Sequence, residues 1–352
     1  MRCPNFMNGT HVKSLFARIN IRPGVVYGRI ASLWIWTVFV ILVGYLSTGG
    51  ASMTNFQFDK SDSMRRMEAH LRLLTVEIGE RSVYRLDQHS KARDAIHAAF
   101  EQIGLQPRLE TYDYKGAAVS NVVAEIARGE HPTRRYVVGA HYDSVYGTVG
   151  ADDNASGVAV LLELAAMLQQ NRALLADDLV IRLVAFALEE PPVFSTRFMG
   201  SRVHARAMQA GQESLEGMIC LEMVGYTCHE KGCQSYPFPL NFMNYPKTGD
   251  FIGIVGNFSS RSFTAALQEA FQNNPALPTV SLNVPFNGWL MPTIRFSDHA
   301  SFWDEGYPAV MVTDTAFYRN PHYHRRSDTM DTLDIDFMAE LVRSLLFFFT
   351  QR

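Results

Sequence analysis

Residues 139–157 read GAHYDSVYGTVGADDNASG and place His141 and Asp153 on either side of a glycine-rich turn. An imidazole and a carboxylate so placed are candidate ligands for a metal ion. Further along, Glu189 and Glu190 end one apolar run, and Glu222 lies inside another, MICLEMV. A lone ionised carboxylate within an apolar strand is costly to desolvate unless it is paired or metal-bound. Near the C-terminus the segment RNPHYHRRSDT offers two histidines, His322 and His324, for one role. Asp143 follows His141 by two residues and Asp328 follows His324 by four, so each is a candidate for the carboxylate that fixes a ligand histidine's tautomer. Spacing alone does not choose between the histidines.

The elements that must position these groups follow in the same order. Residues 135–141 form a short apolar strand that exits at His141. Residues 156–170, SGVAVLLELAAMLQQ, form a mostly buried helix that Asp153, Asn154 or Ser156 can cap. Strand, glycine-bearing loop and helix make a crossover unit of a parallel sheet, and such sheets carry their ligands at the carboxyl ends of the strands. Residues 179–188, LVIRLVAFAL, read as a central parallel strand that stops at Glu189, Glu190, Pro191 and Pro192. Adjacent side chains of a strand face opposite ways, so both glutamates reach one site only where the chain leaves the sheet, which the prolines enforce. Two helices are expected within residues 63–103, then strands at 107–112 and 119–126 with the second nearer an edge. Further strands are expected at 251–255, 279–284 and 309–313, with a closing amphipathic helix over 335–349. Residues 234–249, rich in Pro, Tyr and Phe, form an inserted loop placed to wall a cleft.

Taken in order, HYD, GADDNASG, EE, LEMVG, SDH and YHRRSD resemble the co-catalytic zinc aminopeptidases, the group of the secreted bacterial leucyl aminopeptidases and, more distantly, the glutaminyl cyclases. Each motif is weak alone; the ordered set is specific, and it spans roughly residues 65 to 350. The resemblance implies a mixed, mostly parallel α/β sheet flanked by helices and a metallopeptidase that removes N-terminal residues from peptides. It further implies that His141 and Glu222 hold one zinc ion, Glu190 and His324 a second, and Asp153 bridges both, with Glu189 as general base. The family commonly has aspartate where this chain has Glu222. Three carboxylates and a bridging hydroxide balance two divalent ions, and a nitrogen and oxygen ligand set without thiolate suits zinc.

Asp298 and His299 fall in a segment that resembles a family loop beside the substrate cleft; contact with substrate and, for Asp298, capping of a helix near Ala300 are both open readings. Asp152 is expected to face solvent, Arg325 and Arg326 to be surface charge, and Tyr226, Phe317 and Tyr318 to line a side-chain pocket or the core. Two rivals to the peptidase are a single-zinc glutaminyl cyclase and a non-catalytic receptor on the same fold. Filled ligand positions weigh against the second rival.

The wider frame comes from composition. With 352 residues, 47% hydrophobic and 19% charged, the chain reads as one large domain plus additions, and a net charge of -3 without a basic aromatic cluster argues against nucleic acid as a partner. Residues 30–46, IASLWIWTVFVILVGYL, carry no charge and follow Lys13, Arg18, Arg22 and Arg29. That pattern predicts a cytoplasmic basic segment over 1–29, an uncleaved transmembrane anchor over 30–50 and an extracytoplasmic domain over 51–352, periplasmic in a Gram-negative cell. The alternatives are a secretion signal cleaved near Ala51 and a buried soluble helix. Cys228 and Cys233 share one polar loop, CHEKGC, suited to a disulfide in an oxidising compartment, and Cys220 is expected to be a buried small hydrophobe.

Overall fold

The computed structural model describes residues 56–351, so the expected anchor over residues 30–50 and the basic segment before it lie outside the described residues. Among the described residues no helix is long and apolar enough to cross a membrane. Eight strands form one sheet: β1 Arg108–Tyr114, β2 Ala117–Ala127, β3 Arg134–His141, β4 Leu179–Phe186, β5 Gly217–Glu222, β6 Ile252–Asn257, β7 Thr279–Val284 and β8 Ala309–Thr313. Their order is β1-β2-β4-β3-β5-β8-β6-β7. The centre, β4-β3-β5-β8, is parallel throughout. β2 joins it antiparallel through β4, and β6 antiparallel through β8. The sheet is therefore mixed with a parallel heart, as the residue pattern implies.

The strand expected nearer an edge, β2, is an interior strand; β1 holds the edge instead. The reason is visible in the side chains: β1, RLETYDY, is exposed or half-buried at all but its last position, whereas β2 is buried along most of its length.

Among the described residues seven α-helices cover the sheet: α1 Lys60–Arg72, α2 Leu86–Gln102, α3 Gly157–Gln170, α4 Gly200–Ala210, α5 Arg261–Phe271, α6 His299–Asp304 and α7 Ile335–Thr350. Alternation along the central strands divides the core in two. Val138, Leu183, Ile219 and Leu221 face one way, against a layer that includes α1, α3 and α7. Val137, Val184, Met218 and Cys220 face the other way, against α4 and α6. Because both faces are covered, the central strands read as continuous apolar runs. α7 is buried along most of its length, further than a simple amphipathic helix would be, because it packs between α1, α3 and α5. The four parallel central strands all end at one edge of the sheet, and the chemistry-bearing residues gather there.

Candidate metal centre

Each side chain of the site is delivered by a strand exit or by the loop that follows one. His141 is the last residue of β3, and Glu222 the last of β5. β4 ends at Phe186, and the chain turns through Leu188 at φ 57 before reaching Glu189 and Glu190. That departure from strand geometry is what lets two adjacent carboxylates serve one site. Asp143 fixes the turn, its two oxygens accepting the backbone N–H groups of Glu189 and Glu190, both at 3.0 Å. Asp153 sits in an irregular turn before α3, where Asn154 rather than Asp153 or Ser156 caps the helix by accepting from Gly157 N at 3.2 Å. Asn154 also donates to the Leu221 carbonyl at 2.8 Å and accepts from Met223 N at 3.1 Å, which ties this turn to the end of β5.

The result is two adjoining ligand groups that share one carboxylate. Asp153 Oδ1 and Glu222 Oε2 each lie 3.4 Å from His141 Nε2. On the other side, Asp153 Oδ2 is 3.1 Å and Glu190 Oε2 3.4 Å from His324 Nε2. Glu189 Oε2 stands 3.9 Å from His141 Nε2. Three groups cluster closely enough to hold an ion: His141, Asp153 and Glu222; Asp153, Glu190 and His324; and His141, Glu189 and Glu190. His322 stays outside, its Nδ1 beside Ser327 Oγ, so of the two competing histidines His324 is the one brought to the cluster.

The electrostatics of the cluster favour a cation. Burial pushes Glu189 well above the ordinary carboxylate range, with Glu190 and Glu222 adding to the effect. Burial and the facing Asp153 raise Glu190 to about 8, and burial raises Glu222. Burial alone would lower His141, yet Glu189 and Glu222 carry it well above its ordinary value. Asp153 is held low by its bonds to His141 and His324, which outweigh burial. A divalent ion among these groups would favour their charged forms instead. The donor set fits one: Glu190 Oε1 is buried without a hydrogen-bond partner, and His141 Nε2 has only carboxylate oxygens at 3.4 Å or more around it, the condition in which a polar group is costly unless something coordinates it.

The supporting residues differ in part from expectation. Asp143 lies 3.3 Å from His141 Nδ1, as its spacing suggests. Asp328 does not reach His324; its carboxylate accepts from Asp152 N at 2.8 Å and Asp153 N at 3.1 Å, so it aligns the bridging loop. The chain from 324 to 328 is a turn, and a spacing of four carries a helical neighbour relation only in a helix. Asp152 is fully buried rather than solvent-facing, accepting from Gly225 N and Asn320 Nδ2 and sharing a hydrogen bond with Asp314. Asp298 does not cap α6; it is fully buried near His141 and Glu222, and burial pushes it up to about 7. His299, the next residue, turns the other way into the core, where Nε2 meets the Ile294 carbonyl at 2.8 Å, the ring sits edge-on to Trp303, and burial takes it down to about 3. One residue of helix rotation separates the two fates. Sequence reading missed Ser297, whose hydroxyl donates to Glu222 Oε2 at 2.6 Å, and also Asp314 and Asn320, and it offered Asn154 only as a helix cap, without its bonds to the end of β5.

Beside Glu222 a cavity of about 100 Å³ opens over the β6-β7-β8 face of the sheet. Tyr236 and Leu240 of the inserted loop, Phe251, Met311, Phe317 and Tyr318 make it apolar, and Glu222 is the one charged residue on its wall among the described residues. Tyr226 is not part of it, whereas Phe317 and Tyr318 are. The Cys228–Cys233 disulfide closes the short polar loop just before the inserted loop, whose first residue, Gln234, is tied down by accepting from Arg319 Nε at 2.8 Å.

Comparison with known proteins places this arrangement. YfbL of Escherichia coli (strain K12) is 37% identical over 292 residues, covering 81% of this chain and 87% of its own length. Leucine aminopeptidase 1 of Trichophyton equinum is 27% identical over 225 residues, which is 61% of this chain and 53% of that protein. Among solved structures, the LapA aminopeptidase of Legionella pneumophila matches with a TM-score of 0.63 at 20% identity, over 85% of this chain and 72% of its own. The glutaminyl cyclase of Porphyromonas gingivalis matches with a TM-score of 0.59 at 18% identity, over 84% and 98%. At those identities the structures share the fold. The pattern of peptidase family M28 matches residues 121–348, a span that takes in both ligand groups, their bridging aspartate and the cavity beside them, and the chain belongs to that family.

Proposed function

We propose that this protein is a two-zinc exopeptidase that hydrolyses the N-terminal residue from peptides. The observation that carries the reading is Asp153, which turns one oxygen to the His141 and Glu222 group and the other to the Glu190 and His324 group. His141, Asp153 and Glu222 would hold one ion, and Asp153, Glu190 and His324 the other. Ions so held supply a Lewis acid for the scissile carbonyl and an acidified water as nucleophile. Glu189 is assigned to neither of these two groups although it lies close to His141 and Glu190, and from there it accepts the water's proton and, once protonated, donates it to the leaving amine. Burial holds its pKa high, which suits the acid half of that role. The apolar cavity beside Glu222 favours a substrate whose first side chain is large and uncharged, since a charge would be desolvated there without a partner.

A membrane-anchored, extracytoplasmic setting accompanies this reading. Its supports are the uncharged run over residues 30–46 with the basic residues before it, and a disulfide of the kind that persists in oxidising compartments.

The test is mass spectrometry of the zinc-loaded, detergent-solubilised chain incubated with peptides that bear free or acetylated N-termini, some beginning with glutamine. Stepwise loss of single residues from free termini alone is the expected result, faster for leucine or phenylalanine than for lysine or aspartate. Loss of ammonia confined to glutamine peptides would make the protein a cyclase instead, and no reaction with any peptide would overturn the exopeptidase reading.

A further inference from the structure

We infer that Arg81, outside the residues matched by the family pattern, is a positioning residue of the metal centre that clamps the loop between His141 and Asp153. The inference rests on the two-zinc reading above.

Arg81 is fully buried. Its guanidinium donates five hydrogen bonds, every one to a backbone carbonyl: Nε to Tyr142 at 2.8 Å; Nη1 to Leu74 at 3.1 Å, Gly79 at 3.0 Å and Val149 at 2.6 Å; and Nη2 to Gly150 at 3.0 Å. Three of these carbonyls belong to the loop of residues 142–150. Tyr142 is the residue after His141, and Gly150 lies three before Asp153, so one rigid fork holds both ends of the connection between two ligands. The backbone N–H of Arg81 adds a bond to Ser144 Oγ at 3.0 Å, and that hydroxyl donates to Thr148 O at 3.2 Å inside the same loop. The loop has little room to adapt. Gly150 lies at φ 54, and a Cβ there would sit 2.2 Å from the Asp153 carbonyl and 2.7 Å from Ser144 Cβ.

A buried guanidinium is expensive to desolvate, and carbonyl dipoles alone repay only part of that cost. The opposite charges that act on it most strongly are Asp143, Asp328, Asp153 and Glu190, all residues of the acidic centre or its supports. Arg81 therefore serves the centre in two ways. Its planar fork sets the loop's shape, and its positive charge acts on the carboxylates of the centre and its supports. Lysine has the charge without the fork, and methionine has neither.

The experiment compares Arg81→Lys and Arg81→Met with wild type in the full chain, measuring zinc affinity by chelator competition, the visible spectrum after cobalt substitution, kcat and KM, and melting temperature. For Arg81→Lys we expect a folded protein with zinc affinity lower by about 10- to 100-fold, an altered cobalt spectrum, and a loss in kcat with KM within about twofold. Arg81→Met should lose more on each count, so that lysine gives partial rescue. If Arg81→Met does not fold, Arg81→Lys decides alone. A purely structural role predicts a lower melting temperature with wild-type zinc affinity and cobalt spectrum, and that outcome overturns the inference. A wild-type chain that takes up no zinc would sink the two-zinc reading and the Arg81 role with it, whereas a lysine variant indistinguishable from zinc-binding wild type sinks only the latter.

Discussion

At the scale of residues, the centre is defined by how few carboxylates are free to do chemistry. Asp153, Glu190 and Glu222 each face a histidine within 3.4 Å, Asp143 is spent on two backbone amides, and Asp328 on two more. Glu189 is buried 3.9 Å from His141 Nε2 and is raised well above the usual range. Replacing it with glutamine removes the proton acceptor and keeps the volume. Glu189→Gln should therefore bind zinc as wild type does and lose about 10²- to 10⁴-fold in kcat. Metal analysis beside steady-state kinetics checks this, and near-normal turnover would remove Glu189 from its role.

At the scale of elements, the site depends on a close approach between the start of α3 and the end of β5. Gly157, the first residue of α3, has no room for a side chain: a Cβ would lie 2.4 Å from Asn154 Oδ1 and 2.8 Å from the Leu221 carbonyl. The carbonyl belongs to a central strand and cannot retreat without moving Glu222. Asn154 Oδ1 is the group that caps the helix and accepts from Met223 N. Gly157→Val should lower stability by about 1–3 kcal/mol and weaken zinc binding together, because the same displacement separates Asp153 from Glu222. Urea denaturation and zinc titration of the variant measure the two effects; a stable variant with intact zinc affinity would show that the approach is not needed.

At the scale of the whole molecule, three histidines that are not ligands put their own limit on acid stability. Burial takes His70 and His89 down to about 4 and His299 to about 3, against about 6.5 in an unfolded chain. A folded pKa below the unfolded one means that the unfolded state binds more protons as pH falls. Above about pH 6.5 these residues cost nothing; below it, each removes up to about 1.4 kcal/mol per pH unit until its folded pKa is reached. The cluster's carboxylates also titrate, so the clean measurement is a difference. Denaturation midpoints of wild type and His299→Gln, taken between pH 7.5 and pH 5, should converge as pH falls, the variant lacking one of the three penalties. Parallel curves would mean that His299 does not carry the effect.

The sequence by itself determined which residues could do the chemistry and which ends of which elements carry them. His141 at a strand exit, Asp153 before a buried helix, the paired glutamates before two prolines and Glu222 inside an apolar run are all legible because side-chain type and local periodicity are local properties. The tertiary structure alone decided how these residues are served. Asp328 bonds to the amide of Asp153, 175 residues away, and Asp152 to Asn320, 168 away. Ser297 reaches Glu222 across 75 residues, and Arg81 reaches Gly150 across 69. No local pattern encodes such pairs, because a hydrogen bond requires only that two groups meet in space with the right geometry. The same reason explains the two misplacements. Asp152 was read from its turn chemistry, and the strand at 119–126 from its own residues, while burial and edge position depend on what packs against them.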